Sequence, residues 1–224
     1  MIKMNFFIDT NLPIGYTVPY DKWHQASINF IDNTFNPIFW SNLVEKEYDD
    51  KIDSIIDNLE VFSNKVLKIL KDNERDFSSY FEFENYFLNV TKDCKLDDTK
   101  KVKFLEDFWI KNKIIEGISE ELYFIFIDFK KDLNYIFFTR QSNLKQILEL
   151  HDCGLDNYLK YYDYALKLYD GGIHKPDCKI VLDAHDCGLI HKDLIFVSND
   201  IDMLKAISQL DTSHLEIMEF KSCN

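Results

Sequence analysis

The chain of 224 residues has no apolar run long enough to cross a bilayer. It also lacks the long apolar stretch of a signal peptide, since the strand-like segment MNFFID comes directly at the N-terminus. These two absences exclude the membrane-spanning class and argue against secretion. We therefore expect a cytoplasmic protein.

Basic residues are scarce. The chain has 26 Lys and Arg against 39 Asp and Glu, which gives a formal net charge of −13. Tight nonspecific binding of nucleic acid needs many positive charges on phosphates, so this balance argues against that class of protein. A divalent cation held by clustered acids would offset part of the negative charge.

Cysteine pairs are missing as well. Five cysteines are scattered along the chain, an odd number that is typical of reduced intracellular thiols. His185, Cys187 and His191 lie close together, but no C-x₂-C pair accompanies them. His185 and Cys187 also point to different sides of a helix. We therefore expect no zinc site here and a satisfied, partly buried histidine at position 185.

What the chain does contain is ample core material, with 46% hydrophobic and 15% aromatic residues. Short strands alternate with helices near both ends, which predicts an α/β fold with a parallel sheet. Residues 1–50 and 171–224 form the predicted core, and 51–170 a mostly helical insertion. The predicted strands are 5–8, 37–40, 194–197 and 215–220.

Apolar residues at helical spacing predict most of the remaining elements. The segment 121–139 stays ambiguous, because an aromatic hairpin and a buried helix share its pattern. Gly171 and Gly172 end the helix before them. The predicted helices are 22–33, 51–73, 101–115, 155–170, 182–190 and 201–208.

Carboxylates follow the predicted strands. Asp9 ends the first strand, Glu45 and Glu47 lie in the helix after the second, and Asp200 and Asp202 follow a late strand. Ligands of open parallel sheets bind outside the carboxyl ends of the strands, so these acids are expected to converge.

Asp183, at the start of a predicted helix, can join them. Clustered carboxylates raise one another's pKa unless a cation sits between them. Oxygen ligands of this kind favour Mg²⁺ or Mn²⁺, which can activate water against a phosphodiester.

Four segments together resemble the PIN-domain nuclease family. They are FFIDTN at 6–11, PIFWSNLVEKE at 37–47, LDAHDCG at 182–188 and FVSND at 196–200. The resemblance covers about the first and last 50 residues and implies a three-layer α/β/α sandwich that cleaves RNA with Mg²⁺ or Mn²⁺. The long insertion departs from the small members of that family.

The resemblance also implies roles for individual residues. Asp9, Glu47, Asp183 and Asp200 would be the metal-binding catalytic acids, with Asp202 as a fifth ligand. Thr10 or Ser198 would orient a ligand or a water. Asp186, one turn after Asp183 on the same helix face, is either an auxiliary acid or an exposed charge. Glu45 remains an alternative to Glu47 as the second acid.

Two other functions stay open. A phosphatase of the haloacid dehalogenase type also begins with an aspartate after its first strand, but Asn11 stands where that family has a second aspartate. A catalytically silent PIN-like module would bind RNA or a protein instead. A homo-oligomer or an inhibitory protein partner is compatible with each of these readings.

Overall fold

The structure is a computed structural model that describes residues 4–153 and 157–223. Leu155, the first residue of one predicted helix, lies outside these ranges. Five parallel strands form the main sheet, and two short strands form an antiparallel pair. The strands are β1 Asn5–Ile8, β2 Ile38–Ser41, β3 Asp76–Phe77, β4 Gly117–Ile118, β5 Leu148–His151, β6 Leu194–Val197 and β7 Glu219–Lys221.

The main sheet has the order β5-β2-β1-β6-β7. In the central strands, Phe7 of β1 pairs with Phe39 of β2 on one side and with Phe196 of β6 on the other. Every residue of β2 and β6 is buried, as expected for strands covered on both faces. The predicted parallel α/β class is therefore confirmed, and the sheet is compatible with a three-layer sandwich.

The strand order reverses between β1 and β6. The chain forms β1, moves outward through β2 to β5, and returns to the other side of β1 for β6 and β7. Such a reversal opens a crevice outside the carboxyl ends of the two strands, where open α/β sheets bind ligands. Asp9 directly follows β1 and Ser198 directly follows β6, so both lie at this crevice.

Helices make up most of the remaining chain. They are α1 Asn11–Thr17, α2 His24–Asn33, α3 Asn42–Asp72, α4 Tyr80–Val90, α5 Asp98–Lys111, α6 Ser119–Ile147, α7 Asn157–Lys160, α8 Tyr162–Asp170, α9 Lys175–Ile190 and α10 Ile201–Ser208. Across the described ranges, none of the helices has both the length and the apolar character that crossing a bilayer requires.

The ambiguous segment 121–139 lies within α6 and is helical. Its buried residues recur every three or four positions: Leu122, Phe126, Phe129, Leu133 and Phe137. This spacing fits one face of a helix and not a strand. The length of the segment also favours a helix over a hairpin, since it contains no glycine or proline at which a hairpin could turn.

Helix α9 corrects the sequence interpretation. It was expected to begin at Leu182, but it begins at Lys175, with Pro176 in its first turn. Proline is favoured there because the N–H groups of the first turn have no acceptor within the helix, so the N–H that proline lacks is not needed. The fixed φ of proline also suits a helix. Asp183 therefore lies in the middle of the helix and not at its start. The predicted strand at 215–220 is also shorter, since only Glu219–Lys221 pairs.

The chain divides into two compact units, Met1–Asp50 with Arg140–Asn224, and Lys51–Thr139. The first contains the five-stranded sheet and includes residues 140–170. The second is mostly helical and has its own aromatic core. Its fully buried rings are Phe62, Phe77, Phe83, Phe87, Phe104, Phe108 and Phe126.

Candidate active site

Asp9 is the best-defined polar group at the reversal of strand order. It is only 5% exposed, and its Oδ1 accepts a 2.6 Å hydrogen bond from the backbone N–H of Thr10. Its Oδ2 accepts hydrogen bonds from the Ser198 hydroxyl at 2.7 Å and from the Asn11 amide at 3.0 Å. A carboxylate has about four acceptor positions, so one remains for a further ligand.

Glu47 reaches the same place from α3. The Thr10 hydroxyl donates to Glu47 Oε2 at 2.9 Å, which links this acid to the residue after Asp9. The helix is positioned at its start by Ser41, whose Oγ accepts from the Val44 N–H at 3.3 Å. Between the two glutamates that the sequence left open, the contact therefore favours Glu47 over Glu45.

Burial raises the pKa of Asp9 from its ordinary 3.8 to about 6, although the hydrogen bonds from Ser198 and Thr10 lower it. The charges of Asp177 and Glu47 make smaller contributions to the same rise in pKa. A buried carboxylate with two acidic neighbours is stabilised either by a proton or by a cation.

Asp177 was not anticipated from the sequence. It lies in the first turn of α9, and among the acids its charge acts most strongly on Asp9. A signal for it does exist, because a proline followed by an acid is a common helix start. Because α9 begins at Lys175, Asp177 lies at its N-terminal end and Asp183 in its middle.

The acids after β6 have other contacts. Asp200 caps α10, and its Oδ1 accepts from the N–H groups of Asp202 and Met203 at 3.0 and 2.9 Å. Its own N–H donates to Ser198 Oγ at 3.0 Å, so one hydroxyl connects it to Asp9. The side chain of Asp202 is 97% exposed, with Lys205 3.7 Å away.

Asp183 and Asp186 lie with a different set of residues. Asp183 is 1% exposed, its backbone oxygen accepts from the Cys153 thiol at 4.0 Å, and its carboxylate forms a hydrogen bond with the Tyr158 hydroxyl. Burial first, and then the charge of Asp183, raise the pKa of both the Cys153 thiol and the Tyr158 hydroxyl. The charges of Glu47 and Asp177 thus act on Asp9, whereas Asp183 contacts Cys153 and Tyr158.

His185 has a structural role, as the sequence suggested. It is 4% exposed, and its Nδ1 accepts a 2.9 Å hydrogen bond from the Glu216 N–H. Its ring packs edge-on against Tyr161, with centroids 4.7 Å apart. Burial lowers its pKa, so the neutral ring is favoured.

Two further sets of metal-ligating side chains occur among the described residues, and they share His151. One combines it with Cys187 and His191, and the other with Cys153 and Asp186, with the ligand atoms of each set within 4.8 Å of one another. The acids around Asp9 form no set this compact in the described ranges. A cation bound there requires these carboxylates to close around it.

Comparison of the chain with protein-family models, curated proteins and solved structures found no significant match. The function proposed below therefore rests on the geometry of the crevice.

Proposed function

We propose that this protein is a PIN-like, three-layer α/β/α hydrolase of the cytoplasm that cleaves phosphodiester bonds in RNA with Mg²⁺ or Mn²⁺. One observation carries the proposal. Asp9 is buried at the reversal of strand order, with a pKa of about 6, and the charges of Asp177 and Glu47 act on it. Acids with raised pKa values in a ligand-binding crevice are candidates for a functional site.

The donor set fits a hard cation. The acids around Asp9 supply carboxylate oxygens only, and the groups that contact Asp9 directly are two hydroxyl- or amide-bearing side chains and a backbone N–H. Oxygen ligands favour Mg²⁺ and Mn²⁺ over zinc, which prefers nitrogen and sulfur. Asp9, Glu47 and Asp177 would hold the ion.

The surrounding residues orient these acids. Ser198 and Asn11 donate to Oδ2 of Asp9 and the Thr10 N–H donates to Oδ1, which holds the carboxylate in place and leaves one acceptor position on Oδ1. Thr10 holds Glu47 at 2.9 Å. A bound divalent cation supplies the activation of water and the stabilisation of charge on the phosphodiester.

Asn11 argues against the phosphatase alternative. That chemistry needs a second carboxylate two positions after the nucleophile to move a proton, and an amide cannot perform this step. Here the Asn11 amide instead donates a 3.0 Å hydrogen bond to Asp9, which holds this carboxylate in place.

The test is cleavage of an end-labelled, mixed-sequence RNA with Mn²⁺ or with EDTA, comparing the native chain with Asp9→Asn and Glu47→Gln. We expect cleavage that requires the metal and falls by about 100-fold or more in Asp9→Asn. Asp193→Asn is the matched control. Asp193 is exposed, precedes β6 at the opposite end of the sheet, and has a φ of 56° that asparagine tolerates.

Activity that persists in EDTA or in Asp9→Asn would refute the proposal, and so would a native chain that leaves RNA intact with Mn²⁺. Release of phosphate from a small ester, abolished by Asp9→Asn, would assign the phosphatase instead. Equal cleavage by the native chain and Asp193→Asn shows that the loss is specific to the crevice.

A further inference from the structure

A second group of ligand-type side chains lies at the carboxyl end of β5, apart from the acids around Asp9. His151 is the last residue of β5, Cys187 lies in α9, and His191 directly follows that helix. Their ligand atoms are within 4.8 Å of one another. Two strand spacings separate β5 from β1, which is about 10 Å.

Regular structure explains why the three residues meet. Cys187 and His191 are four positions apart, so they share one face at the end of α9, where the His191 N–H donates to the Cys187 carbonyl at 2.7 Å. The ring of His191 stacks on Phe39 with centroids 4.2 Å apart, which fixes its orientation over β2. β5 pairs with β2 in a register that sets His151 opposite Ser41.

An outer carboxylate orients His151. Asp186 Oδ2 lies 3.3 Å from Nε2 of His151, and Asp186 Oδ1 accepts from the Tyr161 hydroxyl at 2.7 Å and from Lys160 Nζ at 3.2 Å. Histidines that bind metals commonly donate their second ring N–H to such a carboxylate, which fixes the tautomer and raises ligand basicity. His151 therefore has its second nitrogen, Nδ1, for coordination.

We propose that His151, Cys187 and His191 form a binding site for Zn²⁺ or a similar borderline-soft divalent ion, independent of the proposed RNA cleavage. Two imidazole nitrogens and one thiolate suit tetrahedral zinc, with water in the fourth position. On binding, the Cys187 thiol releases its proton to solvent and the sulfur becomes a thiolate ligand. The bound ion links β5, an edge strand of the sheet, to the C-terminal end of α9 through its ligands.

Sequence reasoning missed this site because it paired Cys187 with His185, on another side of the helix. The pair at four-residue spacing is Cys187 and His191, and the third ligand comes from a distant strand. Cys187 is fully buried and His151 is 7% exposed, so the two lie beneath the surface and not among solvated acids.

The test uses Co²⁺, whose spectrum reports ligand type and geometry without any assay of activity. We titrate the metal-free full chain with one equivalent of Co²⁺ and record absorbance. A thiolate-to-cobalt charge-transfer band and the intense visible bands of tetrahedral coordination are expected, both abolished by Zn²⁺. Added Zn²⁺ also raises the thermal midpoint of unfolding, because it binds the folded chain.

Variants locate the ion. His191→Asn, at a partly exposed position, should lower the Co²⁺ affinity at least about 100-fold while circular dichroism stays native, and Cys187→Ser should remove the charge-transfer band. Asp186→Asn should keep the band but weaken affinity by roughly 10–100-fold. The controls are Cys94→Ser, which removes a thiol from the other unit, and Asp9→Asn, and both should leave the band unchanged.

A folded native chain that shows no charge-transfer band with Co²⁺ would overturn the site. A band of equal strength in both Cys187→Ser and His191→Asn would overturn it as well. Loss of the band in Asp9→Asn would place the ion with the crevice acids and refute the independent site. None of these outcomes depends on whether the chain cleaves RNA.

Discussion

The Ser198 hydroxyl donates a 2.7 Å hydrogen bond to Oδ2 of Asp9, across 189 positions of sequence. The Ser198 hydroxyl oxygen also accepts from the Asp200 N–H at 3.0 Å, so one serine connects the ends of β1 and β6 and the start of α10. The bond stabilises the ionised form of Asp9 against its burial and thereby sets how readily this acid can bind a cation.

Ser198→Ala should weaken Mn²⁺ binding, and more so at low pH. Loss of the hydroxyl raises the pKa of Asp9 above about 6, so protons compete better with the metal. We expect an affinity loss of about tenfold near pH 6 and a clearly smaller loss near pH 8, measured by isothermal titration calorimetry. Ser198→Thr keeps the hydroxyl and serves as the control. An equal loss at both pH values would contradict this role.

The stability of the metal-free protein should depend on the charge of Asp9. Its pKa in the folded chain, about 6, lies above the ordinary 3.8, so the folded state binds this proton more tightly than the unfolded state. This contribution to stability is complete below pH 3.8 and is lost as the pH rises through about 6.

Asp9→Asn removes the titrating carboxyl and with it the loss of stability at higher pH. Relative to the native chain, the free energy of unfolding of the variant should rise by about 3 kcal/mol between about pH 4 and pH 8. Urea denaturation in EDTA measures the difference. Asp193→Asn, the same substitution at an exposed position, is the control. A flat difference for Asp9→Asn would show that this carboxyl has no raised pKa.

Asp177 and Asp183 should respond differently to the same substitution. The charge of Asp177 raises the pKa of Asp9, whereas Asp183 forms hydrogen bonds with Cys153 and Tyr158. Asp177→Asn should weaken Mn²⁺ binding about tenfold or more, and Asp183→Asn by no more than about threefold. Competition with a fluorescent chelator measures both affinities. A larger loss of Mn²⁺ affinity in Asp183→Asn than in Asp177→Asn would indicate that Asp183, and not Asp177, is the third metal-binding acid.

Gly188→Ala should destabilise the sheet-containing unit by about 3 kcal/mol. A Cβ at this position of α9 would lie 1.8 Å from the backbone oxygen of Glu216, which cannot move aside as a flexible side chain can. Gly117→Ala is the comparison, because its Cβ would meet only the Leu122 side chain, at 2.9 Å. Chemical denaturation gives both values, and equal losses would contradict the close approach of α9 to Glu216.

Local pattern was enough for much of the fold. The strands at 5–8 and 194–197 and the helix at 201–208 have the predicted bounds. Alternation and helical spacing are properties of neighbouring residues, so they can be read without knowing what packs against them. The parallel class followed in the same way, from short strands separated by helices.

The tertiary structure decided which acids meet. Asp9 could be identified from its place after an apolar strand, but Asp177 depends on where α9 starts and which of its faces turns to β1. The cluster at His151 likewise depends on the register of β5 against β2.

Sequence alone therefore determined several of the elements, the α/β class and the position of Asp9 at a strand end, because these follow from local periodicity. Only the folded chain decided the partners of Asp9 and His151. Contacts between residues that are distant in sequence are set by helix rotation and strand pairing, and a shift of one residue in either changes which side chains face one another.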